Sequence, residues 1–224
     1  MNEMSAAFTV RRVAIGAVFG GLAFTMGFLP LSFPFPPIPY LKFDLAEIPA
    51  FLAAMVFGPS LGLVAAFSHF ISLLFFGEWS PIGPLMKFLA VASSLAGFWL
   101  VSKLVTGRGI LVCSFGLGVS SILMRVVVMT VTNYIVLVVL LPDALEYGAS
   151  TLSMMTGLSM NSFEEKLSLV LLFTALYNGL HIPVSMIPSY IVAKSISPVS
   201  IRLGADYPWI VRIARANGRR FSST

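Results

Sequence analysis

The sequence predicts an all-α integral membrane protein: one domain, built as a six-helix bundle with both termini cytoplasmic. Three observations carry that expectation. Of 224 residues, 58% are hydrophobic and only 10% charged, with a mean hydropathy of +0.94; a soluble domain averages about 25% charged and about 45–50% apolar residues. Apolar stretches recur at the length a helix needs to cross the bilayer, about 20 residues for a core about 30 Å thick. Finally, lysine and arginine gather at one set of segment ends, as topology in a membrane requires.

The first apolar segment runs over about 11–29 and is ended by Pro30. A short second segment, 45–57, stops at Gly58-Pro59, and a third, 60–76, stops at Gly77. The fourth covers 84–104, the fifth 110–141 and the sixth 167–194, leaving a basic tail over 195–224. The fifth is long enough to tilt or to project beyond the bilayer.

With the N-terminus inside, the inner segments hold Arg11, Arg12, Lys103, Arg108, Lys194, Arg202, Arg212, Arg215, Arg219 and Arg220. The outer ones collect Asp44, Glu47, Glu78, Asp143, Glu146, Glu164 and Glu165. An odd number of spans would separate the basic tail from Arg11 and Arg12, so an even number is expected. The net charge of +5 therefore reads as an anchor at anionic lipid, and no nucleic-acid partner is expected. Asp206 and Tyr207 fall beyond the spans, on the inner surface.

Between the first two segments lies PLSFPFPPIPYLKFD, residues 30–44. Its five prolines exclude a helix, since each lacks an N–H and biases the preceding residue away from helical angles. Its leucines, phenylalanines and Tyr40 are too apolar for a solvated loop. We expect it to lie over a small-molecule site at the outer face. The second long connection, 142–166, is rich in Ser, Thr, Met and Gly; it is either a cover or a plain connection.

Polar groups inside apolar helices are costly and tend to face a cavity or one another. Lys87, Asn133, Asn178 and His181 all fall in outer halves of spans, at a depth similar to Asp44 and Glu47. Asn178 and His181, three apart, share a helix face. A side-chain amide offers donor and acceptor together, suiting an imide edge or a polyol. The plainer reading has the asparagines bonding neighbouring helices and Lys87 reaching headgroups. Arg125, near mid-span, should pair with backbone carbonyls or face a partner subunit, and His69 reads as structural. In the first segment Ala14, Gly16, Ala17, Gly20 and Gly21 place small residues four apart, which lets another helix approach closely.

Other chemistries lack their residues. The single Cys113 and two separated histidines make a metal centre a poor expectation. No phosphate-cradling glycine loop, nucleophile set or metalloprotease motif is present, so an enzyme is not expected.

Tyr40-Leu41-Lys42-Phe43-Asp44, then Ile48-Pro49-Ala50, Phe57-Gly58-Pro59 and Gly62, resemble the substrate-binding (S) subunits of energy-coupling factor (ECF) vitamin transporters, most of all their riboflavin-specific branch. The resemblance covers most of 11–194 and is most specific in the first loop and second helix. It implies a six-helix membrane bundle in the cell membrane, binding its vitamin near the outer face under the first loop. The expected substrate-binding residues are Leu41, Phe43, Asp44, Glu47, Lys87, Met129, Asn133, Tyr134, Asn178 and His181. Leu41, Phe43, Met129 and Tyr134 would wall an isoalloxazine ring. Riboflavin would be the transported substrate, with no resident cofactor. The implied partners are a transmembrane coupling subunit and two ATPase subunits, with Ala14, Ala17, Gly20 and Gly21 as the docking face.

The sequence departs from the riboflavin pattern at His181, where a lysine is expected, and at Lys87, where an asparagine is. Glycines also replace several docking alanines. Another vitamin or precursor therefore stays open as substrate. So does a membrane scaffold whose polar residues only join helices. An ion-driven transporter acting alone is disfavoured by the scarcity of paired acids within the spans.

Overall fold

Apolar length sets most helix boundaries and proline opens two helices, at Pro59 and Pro142, although the longest helix, Phe163–Arg202, runs on through Pro183, Pro188 and Pro198. A computed structural model describes residues 3–202 and 207–216. Helix α1 spans Glu3–Met26; then come strands β1, Ser32–Phe35, and β2, Ile38–Asp44. A 3-10 turn, Leu45–Glu47, leads into α2, Ile48–Phe57, followed by α3, Pro59–Phe76, and α4, Ile82–Val105. Helix α5, Ile110–Ile135, continues as a π turn over Val136–Leu140. The remaining helices are α6, Pro142–Thr156, α7, Phe163–Arg202, and α8, Trp209–Arg215. Among the described residues, α3, α4, α5 with its π turn, and α7 are long and apolar enough to cross a membrane; Leu45–Phe57 is a shorter apolar helix.

Two expectations are corrected. The proline-rich stretch is an antiparallel hairpin pairing Ser32 with Asp44, Phe33 with Phe43 and Pro34 with Lys42. A two-stranded sheet tolerates proline because each strand is an edge, with one side free of ladder bonds. The bundle is thus helical with one small sheet rather than all-α. Among the described residues it has eight helices, not six. The added ones are α6, from the segment read as a connection, and α8, from the tail. In the tail, 203–206 and 217–224, with Asp206, Arg219 and Arg220, lie outside the described residues, as does the side chain of Arg202.

Helix α5 organises the interior. Cys113, Leu117, Ser121, Arg125, Met129 and Asn133 are all buried, a row four apart that stays on one helix face. The row is mostly apolar towards its N-terminal end and polar at the end beside the hairpin. Helix α4 packs against α5 closely because Gly97 allows it: a Cβ there would sit 2.7 Å from Ser120 O. Ser120 Oγ donates to Gly97 O (2.9 Å) and Ser121 Oγ to Ser94 O (2.9 Å), so the contact also carries hydrogen bonds.

Two apolar clusters result. The larger joins α1, α2, α3, α4, α5, α7 and α8 around Phe51, Met55, Leu95, Phe98 and Leu117. The smaller seats the hairpin on α6 and α7, through Phe35, Ile38 and Phe43 against Leu145, Leu152, Val170 and Tyr177. At the end of the bundle away from the hairpin, α8 caps the core. Trp209 covers Gly58, whose φ of +111° favours glycine, and Gly107 N–H donates to Ile213 O at 2.8 Å.

Candidate functional site

A cavity of about 270 Å³ opens at the hairpin end, bounded by β2, the ends of α1 and α3, α4, α5 with its π turn, and α7. That is near the lower end of the ~300–1,000 Å³ range typical of small-molecule pockets. Leu73, Phe76, Ile82, Met129, Val136, Leu137 and Leu141 give it apolar walls. Its polar groups are Asp44, Lys87, Arg125, Asn133 and Asn178, while Lys42, Glu78 and Trp79 stand at its rim. The π turn at Val136–Leu140 adds a residue per turn where α5 meets the cavity, a distortion common at functional sites.

Asp44 is the hub. Its Oδ1 accepts from Ala46 N–H at 2.9 Å, which caps the 3-10 turn, and its Oδ2 accepts from Lys87 Nζ. Asp44 N–H donates to His181 Nε2 at 3.1 Å. On the other side of the ring, Tyr177 Oη and Arg125 Nη2 each stand 3.1 Å from His181 Nδ1, and Tyr177 donates its hydroxyl proton to Lys42 O at 2.6 Å. Behind Asp44, His69 is buried with Nε2 3.9 Å from Oδ2.

The second centre is Arg125, whose side chain is 2% exposed. Its Nη1 and Nη2 donate to Glu47 Oε2 and Oε1 at 2.8 and 3.0 Å, and its Nε to Asn178 Oδ1 at 3.1 Å. A two-pronged arginine–carboxylate pair is the arrangement that best offsets the desolvation of both charges. It corrects the expectation of backbone or partner contacts for Arg125: Glu47, at the N-terminus of α2, reaches inward to meet it. At the rim, Lys42 Nζ and Glu78 Oε1 pair at 2.6 Å between β2 and the α3–α4 turn.

Of the expected substrate-binding residues, Leu41, Asp44, Lys87, Met129, Asn133 and Asn178 line the cavity. Glu47 and His181 lie behind it, in the polar network. Phe43 is turned away, because alternation along β2 puts it on the face opposite Lys42 and Asp44; its ring centre lies 5.0 Å from that of Tyr177, tilted, and 5.4 Å from that of His181, edge to face. Tyr134 does not line the cavity: it is 49% exposed, about 100° round α5 from Asn133. Sequence reasoning did not place Arg125, Glu78 or the π turn at the cavity, whereas Tyr40 and Lys42 belong to the stretch expected to cover it. For Arg125 a signal existed, its four-residue spacing from Met129 and Asn133.

On α1, the two pairs of small residues face different ways. Gly16 and Gly20 pack inward on α3, where a Cβ at Gly20 would lie 2.7 Å from Ser68 Oγ. Ala14, Ala17 and Gly21 are exposed, and nothing lies within 4 Å of a Cβ placed at Gly21. Gly20 therefore leaves the expected docking set, its face being occupied within the chain.

A multi-pass helical bundle with an apolar cavity and a few convergent polar groups is a membrane protein built to hold a small molecule. The chain belongs to the family of ECF transporter substrate-specific components, whose profile matches residues 11–193. It is 32% identical over 93 residues to the riboflavin transporter RibU of Staphylococcus aureus (strain TCH60), covering 42% of this chain and 49% of that protein. With the riboflavin transporter FmnP of Bacillus subtilis (strain 168) it shares 29% over 133 residues, 57% of this chain and 67% of that one. The match thus spans about half of the first relative's length. The fold resembles a solved structure described as the S component of a bacterial ECF transporter, with a TM-score of 0.65, 22% identity, and coverage of 85% of this chain and 98% of that one.

Proposed function

We propose that the chain captures riboflavin from outside the cell for ATP-driven uptake, working with a transmembrane coupling subunit and two ATPase subunits. The observation that carries this reading is the cavity itself. Asn133, Asn178 and Lys87 line it and offer donors and acceptors for an imide edge, and Leu41, Met129, Val136 and Leu137 supply apolar surface for a flat tricyclic ring. Two relatives named as riboflavin transporters support it. In this reading, six segments span the membrane, both termini are cytoplasmic, and the hairpin faces outward with α6 beneath it. The substrate-binding residues are Leu41, Asp44, Lys87, Met129, Asn133 and Asn178; Glu47 and His181 hold them in place. Docking to the coupling subunit uses Ala14, Ala17 and Gly21. The chain supplies specificity, and the ATPases supply energy.

The test is a riboflavin titration of the detergent-purified, ligand-stripped protein, followed by tryptophan fluorescence. Trp79 lines the cavity, so Trp99 and Trp209 are replaced by Phe to leave it as reporter. Saturable quenching is expected, with affinity reduced about tenfold or more in Asn133→Ala or Asn178→Ala, the scale of one buried hydrogen bond. A flat titration, with response to a different vitamin, would replace riboflavin as the substrate.

A further inference from the structure

Asn178 meets the cavity with its amide already committed at both ends. Its Nδ2 donates to Thr174 O at 2.9 Å, and its Oδ1 accepts from Arg125 Nε at 3.1 Å. A carbonyl only accepts and a guanidinium only donates, so these two partners permit one orientation. Flipping the amide would set N–H against N–H and oxygen against oxygen. Asn133 is held by one bond only, Nδ2 to Met129 O at 2.7 Å, and its Oδ1 carries none among the described residues.

We propose that Arg125 is a positioning residue that fixes which way the Asn178 amide faces the substrate, and so sets the pattern of donors and acceptors the cavity reads. With Oδ1 engaged, Asn178 presents its remaining N–H. Asn133 presents an acceptor, and Lys87 a second donor beside its bond to Asp44. Two donors and one acceptor are the complement of the carbonyl, N–H and carbonyl of an imide. Glu47 is part of the device, because its two-pronged grip on Nη1 and Nη2 holds the guanidinium plane and aims Nε at Asn178. This inference rests on the riboflavin reading above for its ligand.

A double-mutant cycle tests it. Arg125→Lys keeps a cation opposite Glu47 but loses the Nε donor. Riboflavin affinity is measured by Trp79 quenching in the unsubstituted, R125K, N178A and doubly substituted proteins, with melting curves in detergent to verify folding. If Arg125 acts through Asn178, R125K weakens binding about tenfold alone but less than about twofold in the N178A background, the non-additivity of coupled residues. Equal losses in both backgrounds overturn the proposal and leave Arg125 a purely structural ion-pair partner. Should R125K fail to fold, the pair E47Q with R125Q, which removes both charges together, takes its place in the same cycle. Absence of quenching in the unsubstituted protein overturns the riboflavin reading instead, and the proposal with it.

Discussion

At the scale of single residues, the polar groups fall into those that face the cavity and those that hold them. Glu47 belongs to the second kind and Arg125, which also lines the cavity, to both, and their pairing is the most costly to break. Glu47→Ala strands a buried guanidinium and is expected to cost about 3–5 kcal/mol, read as a large fall in melting temperature. Removing both charges, as in Glu47→Gln with Arg125→Met, should recover much of that loss. Tyr40 gives a contrasting case. Its hydroxyl is buried without a protein partner among the described residues and its ring lines the cavity. Burial pushes the phenol up to about 12 from 10.0. The folded chain therefore keeps this proton longer than the unfolded one, so the phenol's contribution is whole below about pH 10 and is lost as pH rises through about 12. Tyr40→Phe should flatten that alkaline decline without lowering the melting temperature at neutral pH. Much of this was legible beforehand: Asp44, Lys87, Asn133 and Asn178 stand out as polar groups in apolar surroundings. Tyr134 lies off the cavity because neighbours on a helix point about 100° apart, a difference that adjacency in sequence conceals.

At the scale of elements, the hairpin and α1 are the informative parts. The five prolines excluded a helix correctly, but pairing between strands depends on register, which a run of prolines and aromatics does not reveal. Helix α6 was hidden by its Ser, Thr, Met and Gly content, although Pro142 at its start and Gly157 in the left-handed conformation at its end are ordinary helix boundary signals. The hairpin is held to α7 by the Tyr177 hydroxyl on Lys42 O. Tyr177→Phe should loosen it by about 1 kcal/mol, seen as faster hydrogen exchange at the hairpin amides. On α1 the two faces separate cleanly. Gly20→Leu would drive a side chain into Ser68 and should lower the melting temperature. Gly21→Leu should fold and bind riboflavin normally, yet fail to co-purify with the coupling subunit.

For the molecule as a whole, composition and spacing were enough to reveal a membrane bundle, because a bilayer imposes length and polarity on every span. Contacts between spans were not legible. Helices that a membrane packs side by side leave little trace of their partners in a single chain. The isolated protein, reconstituted into liposomes, is expected to bind riboflavin without accumulating it, a result read by rapid filtration. Uptake by this chain alone would refute the division of labour between specificity and energy. The cavity end is electrically balanced. Its charges come as couples: Asp44 with Lys87, Glu47 with Arg125, and Lys42 with Glu78. Carrying one elementary charge across 100 mV involves about 2.3 kcal/mol, but couples that travel together carry none, and uncharged cargo adds none. Loading should be electrically silent, so a cell whose membrane has lost its voltage would still fill this site as readily as an energised one.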